Sequence, residues 1–252
     1  MLQNKAVLHF YMHFAFKSVA IAAGIYMGIS LLIIALFGFV SGSGQVETHM
    51  NGHEAAIVIF AFIFAWNSFR DEMHFFIQHG VSRKTSFFAF ALHWVLVSLL
   101  LSALGVMLPL LLRVLGDLFS ANINVESMFG PIYAGFSDST LALHGIHLVW
   151  LWALTMLSGF LAYFISVLLY RMEKLGRFIL GGALASLFVI LPAINRVTSG
   201  AVQRFFAAVG RLFIGDMANP NPINGIMFFA VLAIAFTIAA FFLIRRVKLQ
   251  KS

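Results

Sequence analysis

Residues Phe87 to Leu112 read FFAFALHWVLVSLLLSALGVMLPLLL, without one Asp, Glu, Lys or Arg. At ~1.5 Å per residue such a run, wound as a helix, exceeds the ~30 Å of a bilayer's hydrocarbon core. Arg83 and Lys84 precede it and Arg113 follows, so the apolar run is bounded by charge on both sides. A soluble core helix has a polar face; this stretch has none. The run predicts a membrane-spanning helix, and the same criterion applied outward defines the rest of the chain.

Further spans fall at about 19–40, 147–170, 178–194 and 223–244, and a shorter one at 52–69, whose charge-free part runs from Ala55 to Phe69. The last is short enough to begin earlier, near Met50, or to sit in protein contacts instead of lipid. The expected fold is an all-α integral membrane protein with six transmembrane helices in a single domain. Composition agrees: 62% of the 252 residues are hydrophobic and 10% charged, against about 25% charged in soluble domains. There is no Cys, which removes disulfides, thiolate nucleophiles and thiolate metal sites. Lys5, His9, His13 and Lys17 interrupt the start of the chain, so no cleavable leader is expected and the first span is retained.

Basic residues set the orientation. One side takes Lys5 and Lys17, then Arg70, Arg83 and Lys84, then Arg171, Lys174 and Arg177, then Arg245, Arg246, Lys248 and Lys251; the other keeps Arg113, Arg196, Arg204 and Arg211. Both termini are therefore expected in the cytoplasm, in the cell membrane. The basic excess lies at membrane edges and forms no nucleic-acid surface.

Three segments outside the spans have patterns of their own. In residues 1–18 the polar Lys5, His9, His13 and Lys17 recur every four residues opposite Val7, Phe10, Tyr11 and Phe14, predicting a cytoplasmic interfacial helix. Residues 196–214 set Val202, Phe205, Phe206, Val209, Leu212 and Phe213 against Arg196, Gln203, Arg204 and Arg211, predicting an external amphipathic or re-entrant helix before the last span. Residues 70–86 read RDEMHFFIQHGVSRKTS; a short helix is expected from Asp71 to His79, with Gly80 ending it and Ser82 capping the next.

No GxxxxGK[ST] phosphate loop and no HExxH zinc helix occurs. His49, His53 and Glu54 fall in the first external loop and His144 and His147 near the second, but loop histidines at membrane edges are common, and no metal site is expected. His93 is the titratable group expected within a span, and no embedded acid is expected. Asn67, Ser68, Thr155 and Ser158 are the polar residues assigned to a possible substrate path, although hydroxyls equally serve as glue between helices. Gly159, Gly181 and Gly182 are expected to permit close helix packing, and Pro109 and Pro192 to bend helix ends.

Together the surface helix, six spans, charged turn after the second span and external amphipathic segment resemble the membrane subunits of ABC-2 type exporters, over the whole chain. The most specific local match is Phe76-Ile77-Gln78-His79-Gly80-Val81-Ser82-Arg83-Lys84, similar to the "hGhSRk" turn of small bacterial permeases. The resemblance implies that 70–86 is a coupling-helix loop, with Arg70, Asp71, Glu72, His74, Gln78, His79, Arg83 and Lys84 contacting a separate ABC ATPase subunit. It implies no catalytic residue and no cofactor in this chain, with ATP and Mg on the partner. It also implies pairing with a second permease copy or a related permease, surrounded by membrane lipid, to export an apolar or amphipathic cargo by alternating access. A non-transporting immunity or sensor-scaffold protein is the competing expectation. An ion-coupled carrier would predict an internal repeat, and none is visible.

Overall fold

The computed structural model describes residues 16–17, 19–21, 23–29, 32, 47–118, 122–197, 200–216 and 219–245. Apart from two short strand pairs these residues form helices and their connecting turns. The helices are α1 (Val19–Ile29), α2 (His53–Gln78), α3 (Arg83–Leu118), α4 (Phe129–Tyr133), α5 (Thr140–Arg171), α6 (Lys174–Val197), α7 (Ala201–Ile214) and α8 (Pro222–Ile244). Strand β1 (Glu47–Asn51) pairs in parallel with β2 (Asn122–Glu126), and β3 (Gly215–Asp216) antiparallel with β4 (Asn219–Pro220). The interfacial helix expected over 1–18 lies outside the described residues but for Phe16 and Lys17, and the first span is described only in part.

Among the described residues three helices are long and apolar enough to cross a membrane: Arg83–Leu112 within α3, Thr140–Arg171, and Pro222–Arg245. The protein is all-helical with the makings of a multi-pass membrane protein. Local chemistry explains where these helices begin. Ser139 accepts a bond from the Ala142 amide at the start of α5, and Asn221 accepts one from Ile223 before the Pro222 that opens α8, each satisfying an amide that has no partner within its own helix.

Helix α5 is the hub, packed on α2, α3 and α8. Its Ser158 hydroxyl donates to the Val58 carbonyl (2.9 Å) and its Ser166 hydroxyl to the Trp66 carbonyl (3.2 Å). Eight residues separate both the donors and the acceptors, so α2 and α5 run parallel and in constant register. Against α3 the pairings descend, Phe90 with Tyr163, Trp94 with Gly159, Gly105 with Leu151, so α3 is antiparallel to both. A Cβ on Gly159 would lie 1.8 Å from the Trp94 ring; only glycine lets that indole rest on the α5 backbone. Gly181 and Gly182, assigned the same role from sequence, have open space where a Cβ would stand. Small residues permit close approach, but among the described residues no neighbour arrives there.

The bundle has two ends. At one lie Glu54, Gly105, His147, the β1–β2 pair, α4 and α7; at the other lie the α2–α3 turn, the α5–α6 turn and the end of α8, joined by Phe69 against Tyr170 and Phe87 against Phe241. Among the described residues Arg83, Lys84, Arg171, Arg177 and Arg245 thus lie at the second end, and Arg204 and Arg211, on α7, at the first.

Candidate functional site

At the Gly80 end, α2 does not stop where its apolar stretch stops. No Gly or Pro falls between Phe69 and Gly80, and charge by itself does not interrupt i→i+4 bonding, so the helix continues to Gln78. The expected separate helix from Asp71 to His79 is therefore the last part of α2. Its 26 residues span ~39 Å at ~1.5 Å each, so the part after Phe69 extends roughly 13 Å beyond the apolar section, with Arg70, Asp71, Glu72 and His74 in its first ~8 Å.

The turn that follows is sharply defined. Gly80 has φ +73°, the left-handed conformation that costs other residues ~1–2 kcal/mol. The Val81 amide donates to the Phe76 carbonyl at 2.9 Å and Val81 packs with the core around Phe76, a Schellman closure. Ser82 then accepts from the Thr85 amide (3.1 Å) as the cap of α3. Gln78, His79 and Lys84 are exposed and Arg83 is half-buried; the His79 ring lies 4.3 Å from that of Phe75. These residues share one end, whereas the proposed substrate-path residues are spread along α2 and α5. The Asn67 amide and the Ser68 hydroxyl donate to carbonyls of their own helix, at Ile63 and Phe64. Thr155 bonds Ser102 across the α3–α5 contact (3.0 Å), and Ser158 reaches Val58. Thr155 and Ser158 thus fasten α5 to its neighbours, while Asn67 and Ser68 are satisfied within α2.

The opposite end holds a polar cluster that the sequence reading assigned to loops. Glu54, in the first turn of α2, is completely buried. Both of its carboxylate oxygens accept from the Met128 amide, at 2.9 and 3.0 Å. His147 of α5 brings Nε2 within 3.2 Å of Oε1, and His53 brings Nδ1 within 3.4 Å of Oε2. The other His53 nitrogen, Nε2, lies 3.1 Å from the Gly105 carbonyl of α3. With that proton committed to Gly105, His53 meets the carboxylate favourably only when Nδ1 is protonated as well. An acid inside the bundle, absent from the sequence expectation, is thus present, and His53 and His147 join His93 as buried histidines.

Phe129 covers the cluster, stacked on His147 at 4.8 Å and 13°. Tyr133 and Trp150 close the lid, and the Tyr133 hydroxyl donates to the Phe213 carbonyl at the end of α7 (3.2 Å). Burial raises the Tyr133 hydroxyl above its ordinary pKa, partly offset by Trp150. The α7 helix itself starts at Ala201, after Gly200 at φ +84°; Arg196, grouped with it from the sequence, closes α6 instead. Glu54 binds three separate elements, the β2–α4 link, α5 and, through His53, α3. The three side chains point at one another and not around a common centre, and among the described residues no group of three or more such side chains is arranged to hold a metal. The signal in the sequence was an acid following Gly52 directly before an apolar run, a first-turn position that the helix dipole favours.

Comparison with protein-family models, with curated proteins and with solved structures finds no match to this chain.

Proposed function

We propose that the chain is the membrane-spanning permease subunit of an ATP-driven exporter, worked by a separate ABC ATPase. The observation that carries this reading is the α2–α3 hairpin: a helix that runs on past its apolar section, bears Arg70, Asp71, Glu72 and His74, and ends in a fixed turn. A rigid lever of mixed charge suits the groove of a motor protein, because force applied to its tip passes along an unbroken helix into the Ser158 and Ser166 contacts with α5. In this reading Gln78, His79, Arg83 and Lys84 complete the contact. Six spans are inferred by adding α1 and the 24-residue α6, which connects the two ends, to α2, α3, α5 and α8. The Gly80 end faces the cytoplasm, since the basic turns gather there. A second permease, the same or related, supplies the other wall of the transport path, and the cargo is apolar or amphipathic.

The test is purification of the tagged chain from its native membranes. A stoichiometric ATPase is expected, and reversing Asp71 and Glu72, or Arg83 and Lys84, should uncouple ATP hydrolysis from transport with membrane insertion intact. Purification without an ATPase, together with unchanged behaviour of both variants, overturns the proposal.

One observation favours a second reading, an ion-coupled carrier: the buried Glu54 with two histidines resembles the intramembrane acids that carry protons. Purified chain in vesicles that moves protons without any ATPase would select that reading.

A further inference from the structure

Between α5 and α8, at the Gly80 end, lies a groove of about 450 Å³, within the size of ordinary ligand sites. Its walls are Phe164, Leu168 and Arg171 on one helix and Ala239, Phe242 and Leu243 on the other. The α5 residues follow one another at four and three positions, a single face running ~10 Å along the helix. Ala239 is the small residue among them, and it hollows the groove between larger neighbours. Phe242 is 58% exposed, so the groove opens sideways onto the apolar surface of the bundle, where a lipid chain reaches it without leaving the membrane.

Arg171 is the polar group in this lining. Among the described residues it has no ion pair, and no hydrogen bond from its guanidinium to a helix carbonyl stands among the described contacts. Arg177, by contrast, donates through Nε to the Met172 carbonyl (3.0 Å), and the Arg245 guanidinium lies 5.8 Å from the Phe241 ring. An Arg at the end of α5 is favoured there by the helix dipole alone. That account leaves five donors unused at the mouth of an apolar groove, with Arg177 and Arg245 among the further cations at the same end of the bundle. The exposed Glu173 lies beyond the helix end.

We propose that this groove is a binding site for one anionic phospholipid, its acyl chain lying along Phe164, Leu168 and Leu243 and its phosphate held by Arg171. Guanidinium pairs with phosphate in two-pronged fashion, and basic sites between transmembrane helices select acidic headgroups. The inference needs only insertion in a membrane and does not depend on the ATPase reading.

The experiment is native mass spectrometry of the full chain in detergent, offered phosphatidylglycerol or phosphatidylcholine with identical acyl chains. Wild type should keep one phosphatidylglycerol with a preference of about fivefold or more, from roughly one cation's worth of headgroup attraction. Arg171→Gln should abolish the preference and leave weak binding of both lipids. Ala239→Phe, which fills the hollow, should reduce both, and it carries the test should Arg171→Gln fail to fold. Arg204→Gln, at the opposite end, should change nothing, and millimolar inorganic phosphate should not displace the lipid. Equal retention of the two lipids by wild type, a preference that survives Arg171→Gln, unaltered binding in Ala239→Phe, or displacement by phosphate would each overturn the proposal.

Discussion

Replacing Glu54 by alanine removes the acceptor that three donors share. The Met128 amide loses both of its short contacts, at 2.9 and 3.0 Å, and His147 and His53 lose the partner that stands 3.2 and 3.4 Å away. Each buried group left without a partner costs ~1–3 kcal/mol, and breaking a buried charged pair from one side costs ~3–5 kcal/mol in all. The expected loss for Glu54→Ala is therefore about 3–5 kcal/mol. Glu54→Gln keeps an oxygen for Met128 and loses the charge, so about 1–2 kcal/mol is expected. Unfolding in mixed micelles, followed through the fluorescence of Trp150 in the lid above the cluster, gives both numbers. Pairing Glu54→Ala with His147→Ala should show a coupling of about 1 kcal/mol or more, since the second change removes a group already orphaned by the first. A Glu54→Ala protein within ~0.5 kcal/mol of wild type, additive with His147→Ala, would refute the idea that this carboxylate clamps the bundle end.

Other expectations follow from the packing. Gly159→Ala forces a methyl into the Trp94 ring, 1.8 Å away, and should cost about 2–3 kcal/mol, whereas Gly181→Ala, with open space around it, should leave stability unchanged or raise it; equal effects in the same unfolding assay would contradict the α3–α5 geometry. Gly80→Ala, at φ +73°, should lose ~1–2 kcal/mol, with Gly80→Asn retaining more, as measured by thermal denaturation in detergent. Ser158→Ala and Ser166→Ala should each cost ~0.6 kcal/mol, the usual size of an interhelical bond in a membrane protein, and the double variant should show the sum.

What the sequence displayed and what it hid divide along physical lines. The helices α3, α5 and α8 were legible because a charge-free run of sufficient length is a property of the run itself. Gly80 and Ser82 were legible because a left-handed closure and a helix cap involve neighbours four or five residues away. The end of α2 was misplaced because charge ends an apolar stretch without ending a helix. Glu54 was invisible as a core residue: its main partner, the Met128 amide, lies 74 residues along the chain, and no local pattern encodes a meeting at that separation. The β1–β2 pair had a related difficulty: NINVE alternates polar and apolar residues, but ETHMN does not, and the two strands acquire their pairing only from each other. Gly181 and Gly182 differ for the opposite reason: a surface fit for close contact was read as contact, and among the described residues no neighbour meets it.

The hydroxyls of Ser158 and Ser166 reach carbonyls 100 residues earlier in the chain. At a synthesis rate of ~5–20 residues per second, α2 is made roughly 5–20 seconds before the helix that fastens it. For most of that interval Glu54 has neither the Met128 amide nor His147, and a helix whose apolar section is short and starts with an unmet acid is a poor independent resident of lipid. The nascent α2 must therefore be held by the insertion machinery, or stay at the water boundary, until α5 emerges. Truncated chains that stop before Thr140 should accordingly be degraded or lost from the membrane, because the last helix needed to seat the second is among the later ones to be born.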